Sequence, residues 1–314
     1  MSPWTINSWK SAGQFFEYRR QKIFCIEEGS GPPLVLIHGF PTSSYDWSYV
    51  WDTLKTNYRL LACDLIGFGF SDKPLDYAYG IADQADIVEA MLVAKGIHSC
   101  HILAHDYGDT VAQEMLARQR ERMHGSLQPA RESASGSEKG GAHKSRDALR
   151  YESVCFLNGG LFPEVHRPRF LQKLLISPLG SVVTRLINEK TFRKSFSEVF
   201  GKDTRPSDGE LRAFWDLVQY NRGTRIYHKL IRYMKERRIH RQRWITPLLE
   251  PDQPIRIING SVDPVSGHHM VERYVALVPQ PDVVSLSTIG HYPQTEAPKE
   301  VVSAYMEFRH SMDR

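Results

Sequence analysis

Three polar residues far apart in the chain, Asp106, Asp263 and His291, each follow a short apolar run, where a strand would end. A carboxylate that is ionised at neutral pH can attack an electrophilic carbon directly, with no base to activate it. An imidazole, with an ordinary pKa of about 6.5, can take a proton from water, and a carboxylate beside it fixes its tautomer. Asp106 stands in Ala104-His105-Asp106-Tyr107-Gly108-Asp109, between the apolar run Cys100 to Ala104 and a helical pattern opening at Thr110. Strand, sharp turn and helix is the setting that holds a nucleophile on a strained turn. Ala104 and Gly108 are small enough to let the two backbones approach there. Asp109, one turn into the helix, is electrostatically favoured as a carboxylate near a helix N-terminus. Taken alone, Asp106 would serve equally well as a helix cap.

Other motifs weigh against the cap. His38-Gly39-Phe40-Pro41 follows the apolar run Leu34 to Ile37, so main-chain N–H groups of Phe40 and of Tyr107 are candidate oxyanion donors at the strand ends. Gly260-Ser261-Val262-Asp263-Pro264 and Gly290-His291-Tyr292-Pro293 close two later runs, with His291 28 residues beyond Asp263. The order nucleophile, acid, histidine is that of α/β-hydrolases. Asp106 is therefore the candidate nucleophile, His291 the base and Asp263 its orienting partner.

Parts must exist to hold these residues. Strand-like runs occur at Lys22 to Ile26, Pro33 to Ile37, Tyr58 to Cys63, Cys100 to Ala104, Val154 to Leu157, Ile255 to Ile258 and Val283 to Leu286. Helical patterns occupy Ile81 to Lys95, Thr110 to Arg122, Gly267 to Val278 and Lys299 to Arg309. The alternation predicts an α/β fold with a mostly parallel sheet covered by helices on both faces. Residues 119–147 are polar and poor in large apolar side chains, which predicts a disordered surface loop. Residues 160–250 are helical in pattern and interrupt the alternation, as a cap over the strands' C-terminal ends would. The expected division is a core of 1–159 and 251–314 with a cap of 160–250.

Composition excludes several alternatives. A formal charge of +4 over 314 residues is modest and gives no indication of a nucleic-acid partner. Cys25, Cys63, Cys100 and Cys155 lie in or beside apolar runs without CxxC spacing, so buried thiols in an intracellular, cytoplasmic setting are expected rather than disulfides or zinc ligands. Neither the first 16 residues nor any other stretch reads as a signal peptide or a membrane span of roughly 20 apolar residues. The chemistry sketched above calls for no cofactor and no metal.

The residues resemble a known family. The chain is similar to the mesoderm-specific transcript hydrolases, in the epoxide hydrolase and haloalkane dehalogenase branch of the α/β-hydrolase fold. The resemblance rests on Ser8 to Gly13, HGFPTSSYDW from His38 to Trp47, GFGFSDKP from Gly67 to Pro74, HDYGD from His105 to Asp109, NGGLFPEVHRP from Asn158 to Pro168, and HYPQ from His291 to Gln294. It implies an aspartate nucleophile, a covalent ester intermediate and a small-molecule substrate. It also implies attachment to the endoplasmic reticulum membrane through an apolar N-terminal segment, and Met1 to Phe16 does not match that segment. Dehalogenases of this branch carry halide-binding Asn and Trp donors where this chain has Phe40 and Tyr107, which disfavours dehalogenation. Epoxide hydrolases use two cap tyrosines as acids; Tyr233 is one candidate, and the stretch Thr191 to Phe200 offers only Phe192, Phe196 and Phe200 for a second.

Residues 222–243 carry nine bases against the single acid Glu236, with Ile226, Leu230, Tyr233 and Met234 at helical spacing. Such a segment serves as a solvated cap face or as a contact with an anionic membrane surface. The expected activity is epoxide-hydrolase-like hydrolysis of a small apolar electrophile. An esterase using Asp106 as a base and a non-catalytic binding homologue remain as alternatives.

Overall fold

The computed structural model describes residues 2–125 and 149–312. One sheet is built from β1 (Gln14–Tyr18), β2 (Gln21–Glu28), β3 (Pro33–Ile37), β4 (Arg59–Cys63), β5 (Ser99–His105), β6 (Arg150–Leu157), β7 (Ile255–Gly260) and β8 (Val283–Leu286). Their spatial order is β1-β2-β4-β3-β5-β6-β7-β8, so β3 and β5 lie side by side near the middle. The first two pairings are antiparallel and every pairing from β4 to β8 is parallel. In β3, β5 and β7 almost every consecutive residue is buried. Because neighbouring side chains in a strand point to opposite faces, unbroken burial means that both faces are covered.

The four expected helices are present as Ile81–Ala94, Tyr107–His124, His268–Leu277 and Pro298–Met312. Several short elements went unread, two of them at the start of the chain. β1 is an edge strand with Phe15 about half exposed, so it has no apolar run to announce it. The short helix Ile6–Ala12 is set by a capping box between Thr5 and Ser8, and it buries Trp9, whose Nε1 donates to Ser44 Oγ at 3.1 Å. The four cysteines are buried free thiols.

The loop expected from residue 119 needs correction. The helix that follows Asp106 continues to His124 because its polar side chains find partners: Gln119 donates to Gln253 Oε1 at 2.9 Å and accepts from the Tyr151 N–H at 2.6 Å. Arg122 in turn donates to the Leu149 carbonyl at 3.1 Å. Composition gave no sign of these long-range bonds. Residues 126–147 of that expected loop lie outside the described residues.

Between β6 and β7 run the helices Phe170–Ile176, Gly180–Leu186, Glu189–Ser197, Asp208–Gln219, Tyr227–Leu230, Tyr233–Ile239 and Arg241–Leu249. The last is joined to the helix behind Asp106: Trp244 Nε1 donates to Glu114 at 2.7 Å and Arg243 Nε at 2.8 Å. Several bases of the 222–243 run are likewise engaged within the fold. Lys229 donates to the Leu75 carbonyl, Arg241 pairs with Glu164, and Arg237 is buried. No helix among the described residues is long and apolar enough to cross a membrane.

One contact fixes the crossing of β3 and the helix behind Asp106. A Cβ on Gly108 would lie 2.2 Å from the Ile37 carbonyl oxygen and 2.8 Å from that of His38. Backbone cannot give way there without moving β3. Gly108→Ala is expected to cost about 3 kcal/mol or more, read as a lower denaturant midpoint. An unchanged midpoint would show that the turn is more compliant than this contact implies.

Candidate active site

Asp106 follows β5 in a strained conformation, with φ 48° and ψ −103°, a region a non-glycine residue enters only when its surroundings hold it there. Its main-chain N–H donates to the Leu157 carbonyl at 3.1 Å, which ties the turn to β6. The buried carboxylate faces two groups. Oδ2 accepts the Phe40 N–H at 3.1 Å, and Oδ1 lies 3.9 Å from His291 Nε2. The other candidate donor, Tyr107, is the first residue of its helix, so its N–H is one that the helix cannot satisfy internally. His38 braces the loop carrying Phe40: its Nε2 accepts the Leu65 N–H at 3.0 Å, leaving Nδ1 to donate to the Gly39 carbonyl at 2.9 Å.

The far side of His291 is held by Asp263, whose Oδ2 is 2.8 Å from Nδ1. All three residues are buried. Burial opposes charge on His291, but Asp263 by charge and hydrogen bond, with Asp106 and Glu296, outweighs it and raises the imidazole to about 9. Burial would raise Asp263 too; His291, the Asn158 amide and the Val265 N–H instead hold it down to about 2. The structure thus brings Asp106, His291 and Asp263 into one line of contacts, with the Phe40 N–H aimed at the first.

Several supporting residues escaped sequence reasoning. Asn158 Nδ2 donates to Asp263 Oδ2 at 2.9 Å while its Oδ1 accepts the Gly260 N–H at 2.7 Å, and Ser266 Oγ reaches the same Asp263 oxygen at 3.0 Å. His105, beside the candidate nucleophile, has its Nε2 2.7 Å from the His291 carbonyl oxygen. Because that partner can only accept, Nε2 carries the proton. Burial lowers the His105 pKa well below the ordinary value, with His291 adding to the effect, so it stays neutral. Glu296 accepts from Gly290 N at 2.9 Å, Tyr292 N at 2.9 Å and Gly201 N at 2.8 Å, joining the His291 loop to the helical segment. The His291 N–H itself donates to the Val199 carbonyl at 2.9 Å. Glu296→Ala leaves these donors without their acceptor and is expected to cost about 3 kcal/mol of stability, since a charged hydrogen bond contributes roughly 1.5–3 kcal/mol. A wild-type unfolding midpoint would refute this role.

Asp109 departs from expectation. It is fully buried, and neither oxygen makes a hydrogen bond of ordinary geometry. Burial first and then Asp106 raise its pKa far above the usual carboxylate range, with Arg237 opposing. It is a neutral acid packed against Gly159 rather than an ionised complement to the helix dipole.

An apolar cavity of about 90 Å³ reaches His291, walled by Phe40, Phe192, Phe196, Tyr227 and Tyr292 among others. Tyr233, the tyrosine singled out from sequence, is fully buried beside it: its ring centre lies 4.7 Å from that of Tyr107 and 6.5 Å from that of Phe40. Burial, then the charge of Asp106, push its phenol upward, so it keeps its proton. Tyr227 is the tyrosine that the sequence did not reveal. It lines the cavity itself, and its hydroxyl donates to the Pro41 carbonyl at 3.2 Å. Its place six residues before Tyr233, across the turn Ile231-Arg232, gives it no helical register with the other.

This fold and arrangement define an α/β hydrolase: residues 32–125 match the profile of that fold family. The chain belongs, within it, to the mesoderm-specific transcript family. It is 40% identical over 322 residues to the mesoderm-specific transcript homolog protein of Homo sapiens, covering 99% of this chain and 89% of that protein. The putative hydrolase LipZ of Mycobacterium tuberculosis is 33% identical over 302 residues, 96% of each chain. Among solved structures, a loop variant of the haloalkane dehalogenase DbeA from Bradyrhizobium elkanii superimposes with a TM-score of 0.73 at 19% identity, over 96% of this chain and 99% of that one.

Proposed function

We propose that the protein hydrolyses a small, mostly apolar electrophile through an ester formed on Asp106, and that an epoxide fits this site best. The observation that carries the reading is the position of the Asp106 carboxylate between the Phe40 N–H and the His291–Asp263 pair. In the first step an Asp106 oxygen bonds to a ring carbon and the ring C–O bond breaks. The departing oxygen takes a proton from a tyrosine, Tyr233 or Tyr227. In the second step His291 removes a proton from water, and the hydroxide attacks the carbonyl carbon of the Asp106 ester. Negative charge then gathers on an Asp106 oxygen, where the N–H groups of Phe40 and Tyr107 stabilise it. Collapse releases the diol and restores the carboxylate, and the proton that His291 took from water returns to the tyrosinate left by the first step.

The residues 160–250 act in this reading as a cap that shuts the reacting carbon away from bulk water. The aromatic wall of the cavity sets the preference for apolar substrates. Phe40 offers no side-chain donor to a departing halide, which favours an oxygen leaving group. Peripheral contact of 222–243 with an anionic membrane would rest on Arg222, Arg225, Arg232, Lys235 and Arg238, which remain exposed. Single turnover in H₂¹⁸O against a panel of epoxides, esters and haloalkanes tests the scheme. Label is expected in the carboxylate of Asp106; turnover without it would exclude the ester and leave Asp106 as a base.

A further inference from the structure

A second cavity, of about 270 Å³, opens between the 163–168 loop and the helices Phe170–Ile176 and Tyr233–Ile239. It shares no wall residue with the cavity at His291. Four cations line it, Lys173, Lys235, Arg237 and Arg238, together with His166, whose pKa burial and then Arg237 lower to about 3; no carboxylate lines it. Like charges gathered around one space repel one another unless an anion joins them.

The innermost group is Arg237, only 2% exposed, its guanidinium centre 4.5 Å from the centre of the Tyr233 ring. Nε donates to Thr110 Oγ1 at 2.8 Å and Nη2 to the Asp106 carbonyl at 3.4 Å, while Nη1 has no hydrogen bond. Both ring nitrogens of His166 are likewise buried and unpartnered. These nitrogens converge at Gly160, where a Cβ would stand 1.9 Å from Nη1 and 2.9 Å from His166 Nδ1. Leaving such donors unsatisfied is costly, the more so for a charged one.

We propose that this cavity binds a phosphate-type oxyanion, with Arg237 Nη1 and His166 as the inner donors and Lys173, Lys235 and Arg238 at the mouth. Tetrahedral oxygens can meet donors arriving from several directions, and a guanidinium edge suits them. The anion would lie behind the turn that carries Asp106, joined to it through Arg237. The site stands whether or not Asp106 is the nucleophile, because none of its donors takes part in that chemistry. Its ligand would be either free phosphate or the phosphorylated end of a larger molecule.

Isothermal titration of the full chain at low salt, with inorganic phosphate in one arm and glycerol phosphate in the other, tests the site. Saturable binding at one site is expected. The mouth variant Lys173→Ala/Arg238→Ala should weaken it by about tenfold, and Arg237→Gln should abolish it. Tighter binding of glycerol phosphate would assign the site to an esterified phosphate, tighter binding of phosphate to the free ion. If Arg237→Gln does not fold, the mouth variant decides. No saturable heat up to about 10 mM phosphate, or an unchanged Kd in the mouth variant, would overturn the proposal.

Discussion

Asp106→Asn should lower turnover of any substrate the protein accepts by about 10⁴-fold or more, the scale of loss when a nucleophile is removed. The amide has the same size, and its oxygen can still accept the Phe40 N–H that Asp106 now accepts at 3.1 Å. Folding should therefore be nearly unaffected, and the denaturant midpoint serves as the control. What disappears is the negative charge that attacks carbon in the proposed scheme, and with it any covalent adduct on this residue. Activity within about tenfold of wild type would remove Asp106 from the chemistry altogether.

His291→Gln should separate the two halves of the reaction. In the proposed scheme ester formation needs only Asp106 and an acid, whereas hydrolysis needs the imidazole. The variant should consume one equivalent of substrate, add its mass to the peptide containing Asp106 and then stall, with kcat down about 10³-fold or more. No adduct in a folded variant would show that the first step also depends on His291. The acidity of His291 supplies a second readout. In the resting protein burial opposes its charge, but Asp263 and Asp106 hold it at about 9, so it is largely protonated at neutral pH. Only the neutral form can deprotonate water. Esterification cancels the charge of Asp106, one of the groups that hold the proton, and the pKa of His291 must then fall. The rate of ester hydrolysis in the wild type should accordingly rise with pH about a midpoint below 9. A midpoint at or above that value would mean that Asp106 exerts no influence on the imidazole.

The strands around the site could be read because β3, β5, β6 and β7 are buried as nearly continuous apolar runs, and their ends carry His38, Asp106, Asn158 and Asp263. Order along the chain then sufficed to propose the nucleophile, the acid and the base. What could not be read depends on partners distant in sequence. Asn158 and Ser266 orient Asp263 through bonds that span more than a hundred residues in one case, and a lone Asn or Ser announces nothing of this. The loop was begun too early for the same reason: Gln119 looks like loop composition until Gln253 and Tyr151 stand beside it. Tyr227 could not be singled out because nothing in its neighbouring residues shows that it lines the cavity. Asp109 misled in another way, since its position suggested an ionised residue and complete burial made it a neutral one.

The main chain of His291 is bonded to Val199, and Glu296 grips Gly201 together with Gly290 and Tyr292. In the proposed scheme roof and base would therefore form an interlock. Lifting residues 199–201 far enough to admit a molecule from solvent would pull on the loop that carries His291, so entry and hydrolysis would exclude each other in time. Water that enters through the raised roof would meet a site whose base is out of place. Water trapped when the roof comes down would meet the assembled one.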